Sequence, residues 1–480
     1  MAEETRPQSS GQPDGSAQPG SNGSGQHGDA SPLSATADFT LRAEGQVAPR
    51  VVIVGGGFGG LKVAHLLAGK GVSVTLVDKH NYHTFLPLLY QVGAAELDAE
   101  SIGYPLRGIL REKQGVRFLM TEVTGADLDR KVLKTHTTEI PFDFLVLAAG
   151  SVSHFFGVPG AEEYALPLKT LEEGTSLRSH ILDCFERAAH EPDPNKRRRA
   201  LTFTLVGGGP TGVEFAGALA ELVYRPLVKD YPSLDFSEVR IVLVEAHEHI
   251  LMGFPQRLQD YALTRLRSMK VDVLLRGSVQ EVTEGAVTLK DGSHLETETV
   301  VWTAGVGGNP LSKAMGLPTA PNGRTVVEPS LQVPGHPRVY ALGDMAQTEQ
   351  AGKPLPMIAP VALQQGETVA RNILRQIKGQ PPEPFSYKDP GSMVTIGRNK
   401  AVAHLAGRSF TGFPAWIIWL TVHLMKLVGF RNRLMVLINW AWDYLFYERT
   451  ERLILPQRRR APAEPQSTQM KAKTTVDANP

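Results

Sequence analysis

The chain has 480 residues, 42% of them hydrophobic, which is enough for sizeable cores and points to roughly two or three domains. Its 50 Lys and Arg nearly cancel 49 Asp and Glu, so a formal charge of +1 supplies no global basic field for nucleic acid or acidic lipid. A single cysteine, Cys184, excludes an intramolecular disulfide, a multi-cysteine metal site and a dithiol redox pair, and no metal centre is expected.

Residues 1–48 are dominated by Gly, Ser, Gln, Pro and Ala, a composition that cannot offset its ordering entropy, and they read as a disordered leader. No basic start precedes an apolar run there, and Glu3, Glu4 and Asp14 argue against a transit peptide. Order is expected from Arg50. Val51-Val52-Ile53-Val54 is a short, wholly apolar, β-branched run suited to a strand buried on both faces. Phe203-Thr204-Leu205-Val206 begins a second section in the same way. Each run leads into a glycine-rich turn and a helical stretch, so a strand–turn–helix beginning of the Rossmann type occurs twice.

The first turn, Gly55-Gly56-Gly57-Phe58-Gly59-Gly60, fits G-x-G-x-x-G. Gly55 permits the tight turn, Gly57 lets backbone approach a pyrophosphate, and Gly60 lets the next helix pack close to the sheet. The pyrophosphate would sit on the N-terminus of a helix over 61–68, and Asp78 ends the next strand where a carboxylate can accept from an adenosine ribose. In the second turn, Gly207-Gly208-Gly209-Pro210-Thr211-Gly212, Gly207, Gly209 and Gly212 take the corresponding roles. Its acid is Glu245, placed late because residues 224–238 read as an insertion. A carboxylate there pairs with a free 2′-hydroxyl and repels a 2′-phosphate, which predicts NADH over NADPH. His247 and His249 read as surface histidines.

Further apolar strands fall at 74–77, 144–147, 241–244, 300–303 and 339–342, and their alternation with helices indicates a doubly wound α/β architecture. Two dinucleotide sites in one chain imply electron transfer between two carriers, one of them normally a tightly held flavin. Val339-Tyr340-Ala341-Leu342-Gly343-Asp344 is a strand ending in Gly-Asp, and Leu147-Ala148-Ala149-Gly150 and Trp302-Thr303-Ala304-Gly305 are two strand ends of similar make. From about residue 386 the character changes. A loop is followed by a hairpin over 393–397 and 401–405, then by two apolar, Trp-rich stretches.

With these motifs the chain, from Arg50 to Leu455, resembles the type II NADH dehydrogenases of the two-dinucleotide flavoprotein superfamily. Asn81-Tyr82-His83-Thr84-Phe85-Leu86-Pro87-Leu88-Leu89-Tyr90 is similar to the family's segment beside the isoalloxazine. Gly209-Pro210-Thr211-Gly212-Val213-Glu214 is similar to its NADH helix entrance, which gives Glu214 the position facing the nicotinamide. By the same resemblance Asp344 binds the ribityl and pyrophosphate region of non-covalent FAD, and an NADH domain is inserted into the FAD domain. Cys184 alone cannot serve the paired-cysteine chemistries of related enzymes, and it reads as a packed residue of a helix over 181–189. His83 reads as a structural hydrogen-bonding residue. The family's Ala-Gln-x-x-x-Gln segment on the quinone side of the flavin reads Ala359-Pro360-Val361-Ala362-Leu363-Gln364 here, keeping Gln364 and replacing the first glutamine by Pro360.

The expected layout is a leader over 1–48, an FAD-binding domain over 49–165 and 326–385, an NADH-binding domain over 166–325, a membrane-anchoring or dimerisation module over 386–455, and a loose tail over 456–480. The resemblance implies a single-subunit NADH:quinone oxidoreductase that does not pump protons, peripheral on the cytoplasmic face of the inner membrane and homodimeric. Two readings compete with it. A soluble reductase of a protein acceptor would not need the Trp-rich stretches, and a redox-sensing protein holding FAD and NADH would turn over slowly with every quinone. The stretch 413–430 is interrupted by His423 and Lys426, and 434–446 is short, whereas a spanning helix needs ~20 apolar residues. Two helices lying in one leaflet are therefore expected. The aromatics Trp416, Trp419, Trp440, Trp442, Tyr444 and Phe446 and the cations Arg449, Arg452 and Arg458 to Arg460 would sit at the headgroup boundary. Because both glycine turns and Asp344 lie upstream, this module is expected to be separable from the flavin-binding body.

Overall fold

The computed structural model describes residues 48–446, 449 and 451–454; the leader, apart from Ala48, and the tail expected from 456 lie outside the described residues. The strands appear where apolar runs were predicted. Arg50–Val54 pairs in parallel with Ser73–Asp78 on one side and Phe144–Leu147 on the other. The six-stranded sheet runs, by residue, 332–333, 336–341, 144–147, 50–54, 73–78 and 116–120. A five-stranded sheet runs 166–167, 299–302, 202–206, 240–244 and 271–274, all parallel. The first sheet thus takes strands from both sides of the second along the chain, so one Rossmann-like unit is inserted in the other.

The two halves repeat one plan. In each, the glycine-turn strand lies between the strand that follows it and a later strand, and a three-stranded antiparallel meander precedes that later strand, at 123–141 and at 279–296. Burial explains why the strands are apolar throughout rather than alternating. Val51, Ile53, Val74 and Leu76 enter one core with Val63 and Leu67, while Val52, Val54, Val77 and Leu147 enter another with Leu133 and Phe142. The second sheet divides in the same way, with Phe203, Leu205, Ile241 and Leu243 on one face and Val206, Val242 and Val244 on the other.

The last module begins with a meander of Ser392–Thr395, Ala401–Leu405 and Arg408–Thr411; the third strand, mostly polar and exposed in its first half, was not signalled by the sequence. Two helices follow, Gly412–Lys426 and Phe430–Phe446. Trp419 and Val436 from these helices, with Leu427 between them, join the core that also holds Leu88, Leu89, Phe215 and Leu219. This corrects the expectation of a separable module, because its inner side completes a core shared by both dinucleotide halves.

Candidate functional site

The two glycine turns are built alike to within a few tenths of an ångström. Gly55 N–H donates to the Val77 carbonyl and Gly207 N–H to that of Val244, both at 2.8 Å. Gly56 N–H donates to Asp78 Oδ2 and Gly208 N–H to Glu245 Oε2, both at 2.6 Å. The other oxygen of each acid accepts from the backbone two residues on, His80 N–H and His247 N–H, both at 2.8 Å. The acid therefore fixes the turn and keeps further lone pairs for a ribose. Gly55 and Gly207 have φ of +108° and +112°, and a Cβ on either would strike the crossing segment, Ala148 O at 2.3 Å and Ala304 Cα at 2.6 Å. Gly60 and Gly212 each lie so close to the preceding turn that a Cβ would sit 1.9 Å from the carbonyl oxygen of Gly55 or Gly207.

Gly57 and Gly209 differ from these, because a Cβ on either meets no protein atom within 4 Å. Each is the N-cap of a helix, Phe58–Leu67 or Pro210–Leu222, that has no side-chain cap and no acid in its first turn. Free amide donors at a positive helix end thus face open space twice, which is what a dinucleotide pyrophosphate requires.

Asp344 follows the strand His336–Ala341, and its Oδ2 accepts from Ser151 Oγ at 2.6 Å and from Lys169 Nζ at 3.3 Å. Lys169 is set there by the helix Leu171–His190, whose start is a reciprocal capping box of Thr170 and Glu173. Gln365 is fully buried and accepts from Gly343 N–H at 2.6 Å, holding the Gly343–Asp344 turn. Sequence reasoning missed Ser151, Lys169 and Gln365. The T-x-x-E pattern at Thr170 marked the helix start beside Lys169, but nothing local marked Gln365. His83 is buried with Nδ1 3.0 Å from the Gly56 carbonyl, which fits its structural role. Burial pushes the Cys184 thiol up to about 11, an inert residue inside the helix Leu171–His190.

Glu214 lies away from the glycine turn, in a cavity of roughly 80 Å³ between the helix Pro210–Leu222 and the last two helices. Tyr90, Thr395, Trp416, Trp419 and Trp440 form part of its wall, and Glu96, Glu221, Asp443 and Arg449 its polar end. Burial pushes the Glu214 carboxyl up to about 8, opposed by Thr395 N–H, which donates to its Oε1 at 3.3 Å. Gln364 stands apart from Glu214, its carboxamide exchanging two hydrogen bonds with the Lys388 backbone at 2.8 and 2.9 Å. Pro360 occupies the first turn of the helix Ala359–Ile377, where a missing N–H costs nothing.

The pyridine nucleotide-disulphide oxidoreductase model matches residues 49–366, and the NDH2 C-terminal domain model matches residues 390–448. The type II NADH:quinone oxidoreductase Ndh of Mycobacterium tuberculosis is 36% identical over 423 residues, covering 85% of this chain and 90% of that protein. This chain belongs to the type II NADH:quinone oxidoreductases. The Staphylococcus aureus member is 32% identical over 377 residues, covering 76% of this chain and 92% of its own. The fold matches the structure of NDH2 from Plasmodium falciparum in complex with NADH, with a TM-score of 0.78 at 20% identity, over 85% of this chain and all (100%) of that one. As a type II enzyme the chain uses FAD and NADH, and the residues at both cradles fit these groups.

The C-terminal part of this type II enzyme corrects two further expectations. Arg449 is not at a headgroup boundary: it is buried, donating to the carbonyls of Ala94 and Ala218 and lying 3.5 Å from Glu221 and 3.8 Å from Glu96. Arg452 pairs with Asp230 at 2.8 Å. Trp419 is buried and Trp440 donates to Gln91 Oε1, so these two indoles face inward, while Trp442 and Phe446 face outward. Arg458 to Arg460 lie outside the described residues. Among the described residues no helix is long and apolar enough to cross a membrane.

Proposed function

We infer that this chain performs its family's reaction, oxidising NADH and reducing a membrane quinone, and that its two cradles divide the work. The carrying observation is the repeated open helix N-terminus at Gly57 and Gly209, each with a fixed acid beside it. FAD bound in the first cradle supplies the two-electron relay between NADH and quinone. In this reading Gly57 and the amides of the first turn hold its pyrophosphate, Asp78 its adenosine ribose, and Asp344, steadied by Lys169 and Ser151, its ribityl end. Gly209 and Glu245 hold NADH, and the negative Glu245 disfavours NADPH.

The family resemblance gives Glu214 the position facing the nicotinamide, and with its carboxyl pushed up to about 8 it is largely protonated at pH 7. It offers a proton at a carboxyl oxygen rather than a fixed negative charge. Gln364 is a positioning residue for the quinone step: its carboxamide ties the helix Ala359–Ile377 to the loop at Lys388 that leads into the last module. The FAD-binding part is read as 49–165 and 326–385, the NADH-binding part as 166–325, and the module as 386–455. The outward apolar sides of the last helices support attachment to a lipid surface; in this reading that surface is the cytoplasmic face of the inner membrane and the enzyme is a homodimer.

The test is anaerobic. NADH should bleach the bound flavin, and a soluble quinone should restore its colour. Gln364→Ala should slow the second step about tenfold while leaving the first within about twofold, as expected when only one half-reaction loses its positioning. A flavin that NADH does not bleach would refute the reading, and a Gln364→Ala effect confined to bleaching would move that residue to the NADH side.

A further inference from the structure

Phe155 and Phe156 are neighbours with opposite fates. Phe155 turns inward against Trp302, ring centroids 5.5 Å apart, and packs on the core. Phe156 is 60% exposed, and its backbone has φ of +54°, a left-handed conformation uncommon for a bulky side chain. The ring has a defined seat nonetheless. It meets the His154 ring edge to face at 4.6 Å, and a Cβ placed on Gly305 would fall 2.4 Å from Phe156 Cζ. Gly305 belongs to the crossing segment whose Ala304 abuts Gly207, the first glycine of the second turn. His154 N–H donates to the Gly305 carbonyl at 3.1 Å, and Ser151–Ser153 pairs antiparallel with Val306–Gly308, so this seat is tied to that segment from both sides.

The repeat isolates what is special here. In the first half the corresponding crossing glycine is Gly150, since Leu147 and Trp302 pair with equivalent residues of the two glycine-turn strands. A Cβ on Gly150 meets nothing within 4 Å. Gly150 takes this place with a φ of +73°, a conformation Gly305 does not share, and the direction its Cβ would take is open, whereas in the half whose nucleotide must enter and leave at each turnover an aromatic ring lies over the crossing glycine. Resting on the reading that the second turn takes NADH, we propose that Phe156 is a positioning residue for that nucleotide. Its ring is a wall on the Ala304–Gly305 crossing against which the ribose and nicotinamide end of NADH or NAD⁺ is held. An exposed aromatic face offers apolar contact and stacking to such a group without fixing it permanently.

Full-length, FAD-loaded protein tests this with Phe156→Ala, Phe156→Tyr and Gly209→Val. Phe156→Ala should raise the KM for NADH and the Kd for NAD⁺ by about fivefold to tenfold, with kcat, FAD content and Tm little changed, and Phe156→Tyr should restore both constants. Gly305→Ala, which displaces the ring from the opposite side, should reproduce the selective loss even if Phe156→Ala folds poorly. Unchanged NADH and NAD⁺ constants in Phe156→Ala and Gly305→Ala would overturn the proposal. So would a joint fall in kcat, FAD content and Tm that tyrosine does not rescue, since that marks a packing role. Gly209→Val separates the two levels. If it still binds NADH, the reading of the second turn fails; if it loses NADH while Phe156→Ala binds normally, only the role of Phe156 fails.

Discussion

Gly57 and Gly209 have backbone angles open to any L-residue, φ −74° with ψ −170° and φ −71° with ψ −178°. With no protein atom near an added Cβ, the fold gives neither position a reason to be glycine, and the dinucleotide gives both one. Gly57→Val should therefore yield a folded protein with little or no FAD, while Gly209→Val should keep FAD and lose NADH binding. The ratio of flavin to protein absorbance, with circular dichroism for folding, reads the result, and stoichiometric FAD in folded Gly57→Val would remove the assignment of the first cradle. Gly55→Val is different in kind: a side chain there meets Ala148 backbone at 2.3 Å on a φ of +108°, so the chain itself should be destabilised. This is the part of the site most legible in sequence, because the need for absent side chains is written as glycine. Gln365 was not legible. Its partner, Gly343 N–H, is near only after the helix Ala359–Ile377 packs on the first sheet, and adjacent Gln364 is the same residue type facing elsewhere.

At the scale of elements, the helix Phe430–Phe446 is held by polar contacts its sequence did not advertise. Asn432 Nδ2 donates to the carbonyls of Glu100, Ser101 and Gly103, and beyond the helix Arg449 reaches into the body between Ala94 and Ala218. A helix apolar on most sides shows no clear inner stripe, so two helices were predictable but not which indoles turn inward. Around Arg449, burial pushes Glu96 and Asp443 each up to about 7, against the opposing pull of Arg449 on both and of Arg398 on Asp443. Nearby Glu214 stands at about 8. These carboxyls ionise near their usual values of roughly 4 in the unfolded chain, so at neutral pH the folded chain holds protons that the unfolded one has lost. Stability then falls as pH rises toward the folded-state values. The lowered pKa values of His65, His83, His180 and His423 act in the opposite direction, but only below about pH 6.5, where unfolded histidine titrates. Between pH 7 and 8.5 the Tm should accordingly fall by about 2–4 °C. Combined Glu96→Gln and Asp443→Asn should lessen that slope, with the remainder carried by Glu214, whatever they do to absolute stability; an unchanged slope would show that these two carboxyls already carry charge in the fold.

For the whole molecule, the last two helices act as a layer with two different sides. Trp419 and Val436 are inside, while Phe413, Ile417, Met425, Phe430, Leu434, Leu437, Ile438, Trp442, Leu445 and Phe446 are between 42 and 80% exposed. The helices have 15 and 17 residues, short of the ~20 that a span needs, so the geometry suits burial of one side into a single leaflet. Since the inner side belongs to the shared core, deleting the module would destroy the enzyme and test nothing, and the informative change is confined to the outer side. Leu434, Ile438 and Leu445 form one stripe of it, and replacing all three by serine should leave FAD, NADH-driven bleaching and activity with a small soluble acceptor intact. Each such leucine or isoleucine gains about 1 kcal/mol on moving from half-exposed to buried, so vesicle partition should weaken roughly a hundredfold for the three together. Activity with a lipid-dissolved quinone should fall with it. High salt should not detach the unaltered protein, because apolar burial is not screened as charge attraction is. Flotation with anionic and neutral vesicles reads the first effect and sedimentation the alternative: an unaltered protein that never floats, yet is a dimer that the three serines split, would mean that a second copy rather than lipid covers this side.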